Sequence, residues 1–155
     1  KYGISVNGSQ IGLSLHKGGN HPDFKGDKGL HRAVYSFMPH NCGFGARAVI
    51  HPSYMLNIPH IVSDGIFEAE ALVKTDKANI IVESVKACED EDKAFIIRLY
   101  EAEGSRTTGT VTFGSCVKKF VQTNMLEEAL GSAVDASSVR MQFRPFEIKT
   151  IKAYY

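Results

Sequence analysis

Six histidines are the first residues to test for metal chemistry, because imidazole is a common zinc ligand. All lie within the first 60 residues, separated by 5, 10, 9, 11 and 9 positions: His16, His21, His31, His40, His51 and His60. A zinc-binding helix needs two histidines four positions apart, and a zinc finger needs closely spaced pairs of ligands. None of the six fits either pattern, so each is predicted to be a surface or hydrogen-bonded histidine.

The three cysteines do not indicate a disulfide framework. Cys42, Cys88 and Cys116 are odd in number and far apart, and no CxxC or CxxH spacing occurs. Disulfide-rich and cysteine–zinc domains show the opposite pattern. We therefore expect buried, reduced thiols in an intracellular protein.

Carboxylates offer another kind of chemistry. A glycosidase needs two of them about 5–10 Å apart, but the sequence does not show which Asp and Glu side chains meet. The acidic run Glu89–Asp92 is predicted to be a solvated hairpin tip, because adjacent carboxylates repel and the glycine of a calcium loop is missing. The sequence also has no GxSxG elbow and no phosphate-binding glycine loop. No self-contained active site is therefore predicted.

Composition limits the class of partner. The 155 residues are 43% hydrophobic and 23% charged, with a formal net charge of +1. That is typical of one globular domain, and it favours neither a nucleic acid nor a membrane as partner. Because the sequence begins at Lys1 rather than at Met, we expect an excised part of a longer chain.

Short β-type segments separated by turn residues dominate the chain. Asn7-Gly8 predicts a hairpin, Lys17–Leu30 predicts a long Gly-rich loop, and Ala46–Leu56 predicts one short helix interrupted by Pro52. The predicted strands are Tyr2–Val6, Ile11–Leu15, His31–Pro39, Glu68–Val73, Asn79–Lys86, Ala94–Ala102, Thr107–Phe113, Cys116–Thr123, Ser138–Phe143 and Phe146–Ala153. This pattern predicts an all-β antiparallel β-sandwich with one short helix.

Strand alternation assigns the charged residues to faces. Arg98 and Glu101 are three positions apart, so they are predicted to point to opposite faces and to need separate partners. Glu83 and Lys86 have the same spacing. Either one is a candidate cross-strand partner of Arg98, and Phe146 is predicted to be buried in a turn at the sheet edge.

Several segments together resemble glycoside hydrolase family 38, the α-mannosidases. They match in order the family's KYG, L-x-L-S-L-L-R, PD and D-x-G-x-H motifs and its strand ending in P-H. They then match its L-N-x-P, V-E-T-V-K, L-R-L-Y-E, N-L-L-E and P-F-E-I-x-T motifs. The corresponding segments here include Lys1–Gly3, Ile11–Leu15, Tyr35–His40, Leu56–Pro59, Val82–Lys86, Ile97–Glu101, Asn124–Glu127 and Arg144–Thr150. The resemblance covers nearly the whole chain. The chain is similar to the carboxy-terminal β region of these enzymes, and the similarity is greatest to the cytosolic and bacterial branch of the family.

The resemblance implies a retaining, zinc-dependent exo-α-mannosidase as the parent, acting on mannose-containing glycans. In that family the zinc ligands and the nucleophile lie in an amino-terminal domain. Residues 1–155 are then expected to form a single non-catalytic β-sandwich domain that supports the catalytic domain and binds no zinc itself. Its expected partners are the other domains of the same chain, and its expected location is cytoplasmic.

Five residues are candidates for contacts with the cleft or with other domains by that resemblance: Lys17, Asp23, Asp27, His31 and His40. Lys17 departs from the family's arginine and lacks the bidentate fork of that side chain. An alternative is a freestanding carbohydrate-binding sandwich, which a solvent-facing aromatic cluster would favour. Apolar area is also expected to be bare where other domains would pack. Part of the Ala46–Phe67 segment, with Phe44, Met55, Leu56 and Ile61, is therefore predicted to be poorly ordered or covered by another copy of the chain.

Overall fold

A computed structural model describes residues 3–58, 60–66, 68 and 70–155. The chain divides into two compact units, Lys1–Pro39 and His40–Tyr155. Each unit is described by itself below. The expectation that 1–155 form a single domain stays a prediction.

The described residues of the first unit contain one β-hairpin. Strands β1 (Ile4–Asn7) and β2 (Gln10–Leu13) pair antiparallel, with Asn7 opposite Gln10. The turn is therefore centred on Gly8-Ser9, one residue later than predicted, and Gly8 takes the positive φ of 59° that the first turn position requires.

The predicted strand over His31–Pro39 is wrong. Residues 14–39 contain neither strand nor helix. Alternating apolar residues form a strand only where a sheet pairs with them and buries one face. Here Val34, Tyr35 and Phe37 remain exposed.

The second unit begins with the predicted helical segment. A π-helical turn, Ala46–Ile50, leads into helix α1 (His51–Asn57). Pro52 lies in the first turn of α1, where its missing N–H is tolerated. The change of helix type therefore falls next to the proline that was predicted to interrupt the helix.

In the described part of the second unit, seven strands form two antiparallel sheets. They are β3 (Val73–Thr75), β4 (Ile80–Ala87), β5 (Ala94–Glu101), β6 (Thr107–Phe113), β7 (Lys119–Thr123), β8 (Ser138–Phe143) and β9 (Ile148–Tyr154). One sheet has the order β3-β6-β8 and the other β4-β5-β9-β7. The antiparallel β-sandwich is confirmed.

The core lies between these two sheets. Phe95, Ile97 and Leu99 alternate along β5 and pack against residues such as Val111 and Phe143 of the other sheet. Alternate residues of β5 therefore face outward. That outer face of the four-stranded sheet carries most of the charged residues discussed below.

Most strand boundaries differ from prediction by one or two residues, and two strands begin three or more residues later than predicted. The strand expected over Glu68–Val73 starts only at Val73. In the segment before it, the Glu70 carboxylate accepts hydrogen bonds from Ser115 N and Oγ. The strand expected from Cys116 starts at Lys119, since Val117 N donates to Gly114 O and closes a turn first.

A β-bulge interrupts β4. Its pairing with β5 shifts between Val82 and Ser84, so Glu83 is an extra residue in the strand. The opposite faces predicted for Glu83 and Lys86 are wrong, because the bulge breaks the alternation and both side chains lie on the outer face.

Candidate functional site: a groove on the outer face of the sandwich

A groove of about 680 Å³ lies on the outer face of the four-stranded sheet, within the second unit. Helix α1, strands β4, β5 and β9 and two loops contribute to its walls. We call it the outer groove, lined by Tyr54, Glu83, Ser84, Arg98, Leu99, Tyr100, Met125, Phe146 and Ile148. Its volume is within the roughly 300–1,000 Å³ typical of small-molecule sites.

Two tyrosines and a carboxylate form a network in this groove. The Tyr54 hydroxyl donates to Glu83 Oε2 and lies 3.3 Å from the Tyr100 hydroxyl. Burial, together with the hydrogen bonds to Glu83 and Tyr100, raises the pKa of Tyr54 far above its ordinary value. Tyr54 therefore stays protonated, and it acts in the groove as a hydrogen-bond donor.

A second cluster joins two strands to a loop. Glu127 Oε1 lies 2.7 Å from Lys86 Nζ and 3.7 Å from an Arg98 guanidinium nitrogen. The Lys86 hydrogen bond lowers the pKa of Glu127, and Glu127 in turn raises the pKa of Lys86. Lys86 lies opposite Ile96 and Arg98 opposite Ser84, so Lys86 and Arg98 meet only through the Glu127 carboxylate that they share.

The loop reaches the sheet because Asn124 shapes it. Asn124 Oδ1 accepts hydrogen bonds from the N–H groups of Leu126 and Glu128, and this places Glu127 at a φ of 70°. Asparagine side chains commonly stabilise such turns. The Asn124–Glu127 motif therefore has a structural explanation as a carboxylate-presenting turn.

Glu101 is a buried carboxylate that ties two loops together. Its side chain is inaccessible to solvent, and it accepts hydrogen bonds from the backbone N–H groups of Glu103, Ser105 and Phe146 and from Asn79 Nδ2 and Ser105 Oγ. Desolvation by burial raises its pKa, but these donors outweigh it and hold the pKa at about 2. Arg98 and Glu101 do have separate partners, as predicted.

Phe146 is exposed rather than buried. Its backbone has a φ of 56°, its N–H donates to Glu101 Oε2, and its side chain is 68% exposed. The prediction of a buried ring is wrong, because the hydrogen bond to Glu101 fixes a turn that directs the ring outward, to the rim of the outer groove.

Comparison with known proteins assigns a family to the part of the chain that forms most of the outer groove. The family model described as "Glycosyl hydrolases family 38 C-terminal beta sandwich domain" matches residues 79–151. The chain carries the carboxy-terminal β-sandwich domain of glycosyl hydrolase family 38. Most residues that line the outer groove fall within the matched segment of this family 38 domain.

Curated relatives extend the match beyond that segment. "Alpha-mannosidase G" of Dictyostelium discoideum is 33% identical over 163 residues, covering 98% of this chain. "Alpha-mannosidase 2C1" of Homo sapiens is 29% identical and covers 97%, and "Alpha-mannosidase" of Saccharomyces cerevisiae is 22% identical and covers 100%. The family 38 chain spans only 15–17% of the length of these relatives.

The five candidate contact residues are all exposed, and they lie outside the segment 79–151 that the family model matches. The structure brings two of them together, because His31 Nε2 hydrogen bonds to the Asp27 carbonyl oxygen. Asp23 accepts from the Lys25 N–H in a local turn. Their proposed contacts with a cleft or with other domains, including those of Lys17 and His40, stay predictions.

No three His, Cys, Asp or Glu side chains form a group able to hold a metal ion, as far as the structure describes the chain. The rings of His16 and His31 lie against each other, with centroids 4.2 Å apart. Among the same residues, no helix is long and apolar enough to cross a membrane.

The cysteine prediction is wrong in one respect. All three thiols are free, but Cys42 and Cys116 are exposed and Cys88 is half-buried. Each lies in a loop or turn rather than at an inward strand position, so the sheet does not bury it. The acidic run is the predicted turn, although Glu89 and Glu91 also pair with Lys86 and Lys152.

Sequence reasoning missed Tyr54 and the role of Glu127. Tyr54 lies in a helix whose neighbours in sequence do not indicate contact with β4 or β5. Glu127 was recognised only as part of a motif. One signal in the sequence could have indicated the role of Glu127: its carboxylate is complementary in charge to Lys86 and Arg98 on the neighbouring predicted strands.

Proposed function

We propose that this chain is the non-catalytic carboxy-terminal sandwich of a zinc-dependent, retaining α-mannosidase that releases terminal α-mannose from glycans or oligosaccharides. The coverage of the relatives supports this most directly. Proteins named α-mannosidases match 97–100% of this chain, which accounts for only 15–17% of their length. Most of such an enzyme would therefore lie outside these residues.

The zinc ion is proposed to be held outside these residues. Zinc centres use four ligands, or three ligands and a water, and the residues that the structure describes do not gather three suitable side chains. They do not fit a zinc site of their own. The role left for this chain is mechanical, since a packed two-sheet core gives a stable support for neighbouring domains.

The proposed partners are the other domains of the same polypeptide, and the proposed location is the cytoplasm. Exposed apolar side chains on α1 and nearby loops, such as Phe44, Met55 and Leu56, support an interdomain contact. Large exposed apolar patches commonly mark such surfaces.

The activity of the isolated chain tests this proposal. We expect no hydrolysis of an aryl α-mannoside above buffer in the presence of zinc or cobalt, and no metal retained after dialysis. A longer polypeptide that includes the proposed catalytic domain is the positive control. Turnover by the chain alone, or one zinc per chain after dialysis, would contradict the proposal.

The supporting role needs a separate test in the longer enzyme. Ile97→Ala removes a fully buried side chain that does not line the outer groove, and it is expected to lower the melting temperature of the parent, while kcat/KM per folded molecule stays unchanged. Leu130→Ala, at a position 63% exposed, is the matched control. A lower kcat/KM without a loss of thermal stability would place these residues in the catalytic machinery instead.

A freestanding carbohydrate-binding module is the second candidate function. One observation favours it: the outer groove brings together three aromatic side chains, those of Tyr54, Tyr100 and Phe146. The same sugar-binding chemistry is compatible with the domain being part of an α-mannosidase.

A further inference from the structure

We propose that the outer groove is a binding site for a neutral oligosaccharide containing mannose. The choice of mannose rests on the proposed function. The assignment to a saccharide rests on the residues of the groove: three aromatic rings, two of which also carry hydroxyl groups, beside a carboxylate, a guanidinium and a serine hydroxyl.

The aromatic side chains supply the apolar part of such a site. A pyranose ring has a C–H face that packs on an aromatic ring, and tyrosine adds a hydroxyl at the polar edge. Tyr54 and Tyr100 are half-buried, whereas Phe146 is 68% exposed. The groove thus has two partly sheltered rings and one open ring at its rim.

Phe146 is held in this position by the fold. A positive φ is uncommon for a bulky residue, and here a hydrogen bond from Phe146 N to the buried Glu101 carboxylate fixes it. Uncommon backbone conformations that the surrounding structure maintains often occur at binding sites. The fold therefore presents an apolar ring to solvent instead of burying it.

The polar residues favour a neutral ligand rich in hydroxyl groups. One carboxylate, Glu83, and one guanidinium, Arg98, face the groove, so its lining carries no net charge. A phosphate or a nucleic acid would need an excess of cationic groups. Glu83 accepts a hydrogen bond from Tyr54, and its second oxygen can accept one from a sugar hydroxyl.

Nuclear magnetic resonance titration of the isotopically labelled chain tests the site directly. Methyl α-mannoside and a linear α-mannotriose are the probes, and methyl β-galactoside is the comparison sugar. We expect saturable shifts at the backbone amides of 83–84, 98–100 and 146–148, with tighter binding of the mannosides. Since the chain contains no tryptophan, tyrosine fluorescence provides a second readout.

Matched variants separate the groove from other surface aromatics. Phe146→Ala is expected to weaken mannotriose binding about fivefold, the scale of a lost aromatic contact. Phe44→Ala removes a ring that is 74% exposed and does not line the groove, and it should leave affinity unchanged. Tyr100→Phe, which keeps the ring and removes only the hydroxyl, should weaken binding while preserving the melting temperature.

Three results would overturn the site: no saturation in the high millimolar range, shifts confined to other residues, or equal affinity of Phe146→Ala and the unsubstituted chain. Equal binding of the galactoside would overturn the assignment to mannose. These outcomes are independent of the hydrolysis assay. If the chain neither binds nor hydrolyses mannosides, the proposed site is contradicted and the proposed function stands. If the chain does both, the proposed function is contradicted and the proposed site stands.

Discussion

Glu101 is a charged residue at a position where strand burial alone favours an apolar side chain. Its carboxylate is stable there because five donors from two loops and one asparagine surround it. A buried charge that is fully hydrogen bonded can organise the backbone around it. At the scale of single residues, this carboxylate decides the conformation of the 102–106 and 144–147 turns.

Replacing Glu101 with glutamine tests that role. Glu101→Gln keeps the size of the side chain but replaces one accepting oxygen with an NH2 group. This group faces N–H or O–H donors, so several donors lose their acceptor. We expect the free energy of unfolding to fall by on the order of 3 kcal/mol, measured by urea denaturation. Asp90→Asn, in the exposed acidic turn, is the control and should change it little. Equal stability of both variants would show that the hydrogen bonds of Glu101 are not needed.

The same carboxylate predicts a dependence of stability on pH. Its pKa is about 2 in the folded chain, against an ordinary value of 4.5. A lowered pKa stabilises the folded state above the unfolded value, and this stability is lost as the pH falls from about 4.5 to about 2. The contribution is about 3 kcal/mol.

Acid titration of the Glu101→Gln variant isolates this effect. Hydrogen bonds also lower the pKa values of Glu70, Asp76, Glu127 and Glu147, so both proteins should lose stability in acid. The difference between the unsubstituted chain and the variant is expected to shrink toward pH 2. A difference that stays constant from pH 6 to pH 2.5 would contradict the lowered pKa.

At the scale of elements, close packing between strands explains one glycine. A Cβ at Gly109, in the middle of β6, would lie 2.4 Å from Ile80 Cδ1 and 3.0 Å from Asp76 Oδ1. Ile80 is only 1% exposed, so its side chain has little room to move. Glycine is required here by space rather than by backbone conformation.

A double-mutant cycle measures this close contact. Gly109→Ala is expected to destabilise the fold by about 1–3 kcal/mol through overpacking. Ile80→Val removes the δ-methyl group that the new Cβ would meet, so the double variant should lose less stability than the sum of the two single losses. Gly131→Ala, where a Cβ would meet nothing within 4 Å, is the control. Strictly additive losses would mean that the two positions do not compete for space.

At the scale of the whole molecule, the exposed apolar side chains have a measurable consequence. Phe44, Met55 and Ile61 are 74%, 63% and 98% exposed, and such surfaces favour association. We expect the isolated chain to self-associate as its concentration rises, as followed by sedimentation velocity, and we expect Met55→Lys to reduce this.

A substitution on a different apolar surface tests whether the self-association involves the surface around Met55. Leu30→Lys, at a fully exposed position in the first unit, is the matched control and should leave self-association unchanged. If Leu30→Lys reduced it and Met55→Lys did not, the contact would involve a different surface. A monomer at every concentration would also contradict the prediction.

Alternation and turn residues along the chain are enough to predict the fold class and most strands of the sandwich. Strand β6 and strand β8 agree with the predicted bounds, since local alternation and turn residues specify them. The failures share a cause. The alternating segment His31–Pro39 pairs with neither strand of the β1–β2 hairpin in its unit. The strand expected from Glu68 starts only at Val73, and Glu70 before it accepts hydrogen bonds from Ser115 N and Oγ instead.

The candidate site arises only when distant parts of the chain pack together. Tyr54, Glu83 and Tyr100 come together from α1, a β-bulge and β5, and no spacing in the sequence measures those distances. Phe146 points outward because a carboxylate 45 residues earlier binds its N–H. Local patterns specify which strands form, because each strand depends on its own alternation. The groove depends on which strands become neighbours and on one register shift between them, and long-range packing settles both.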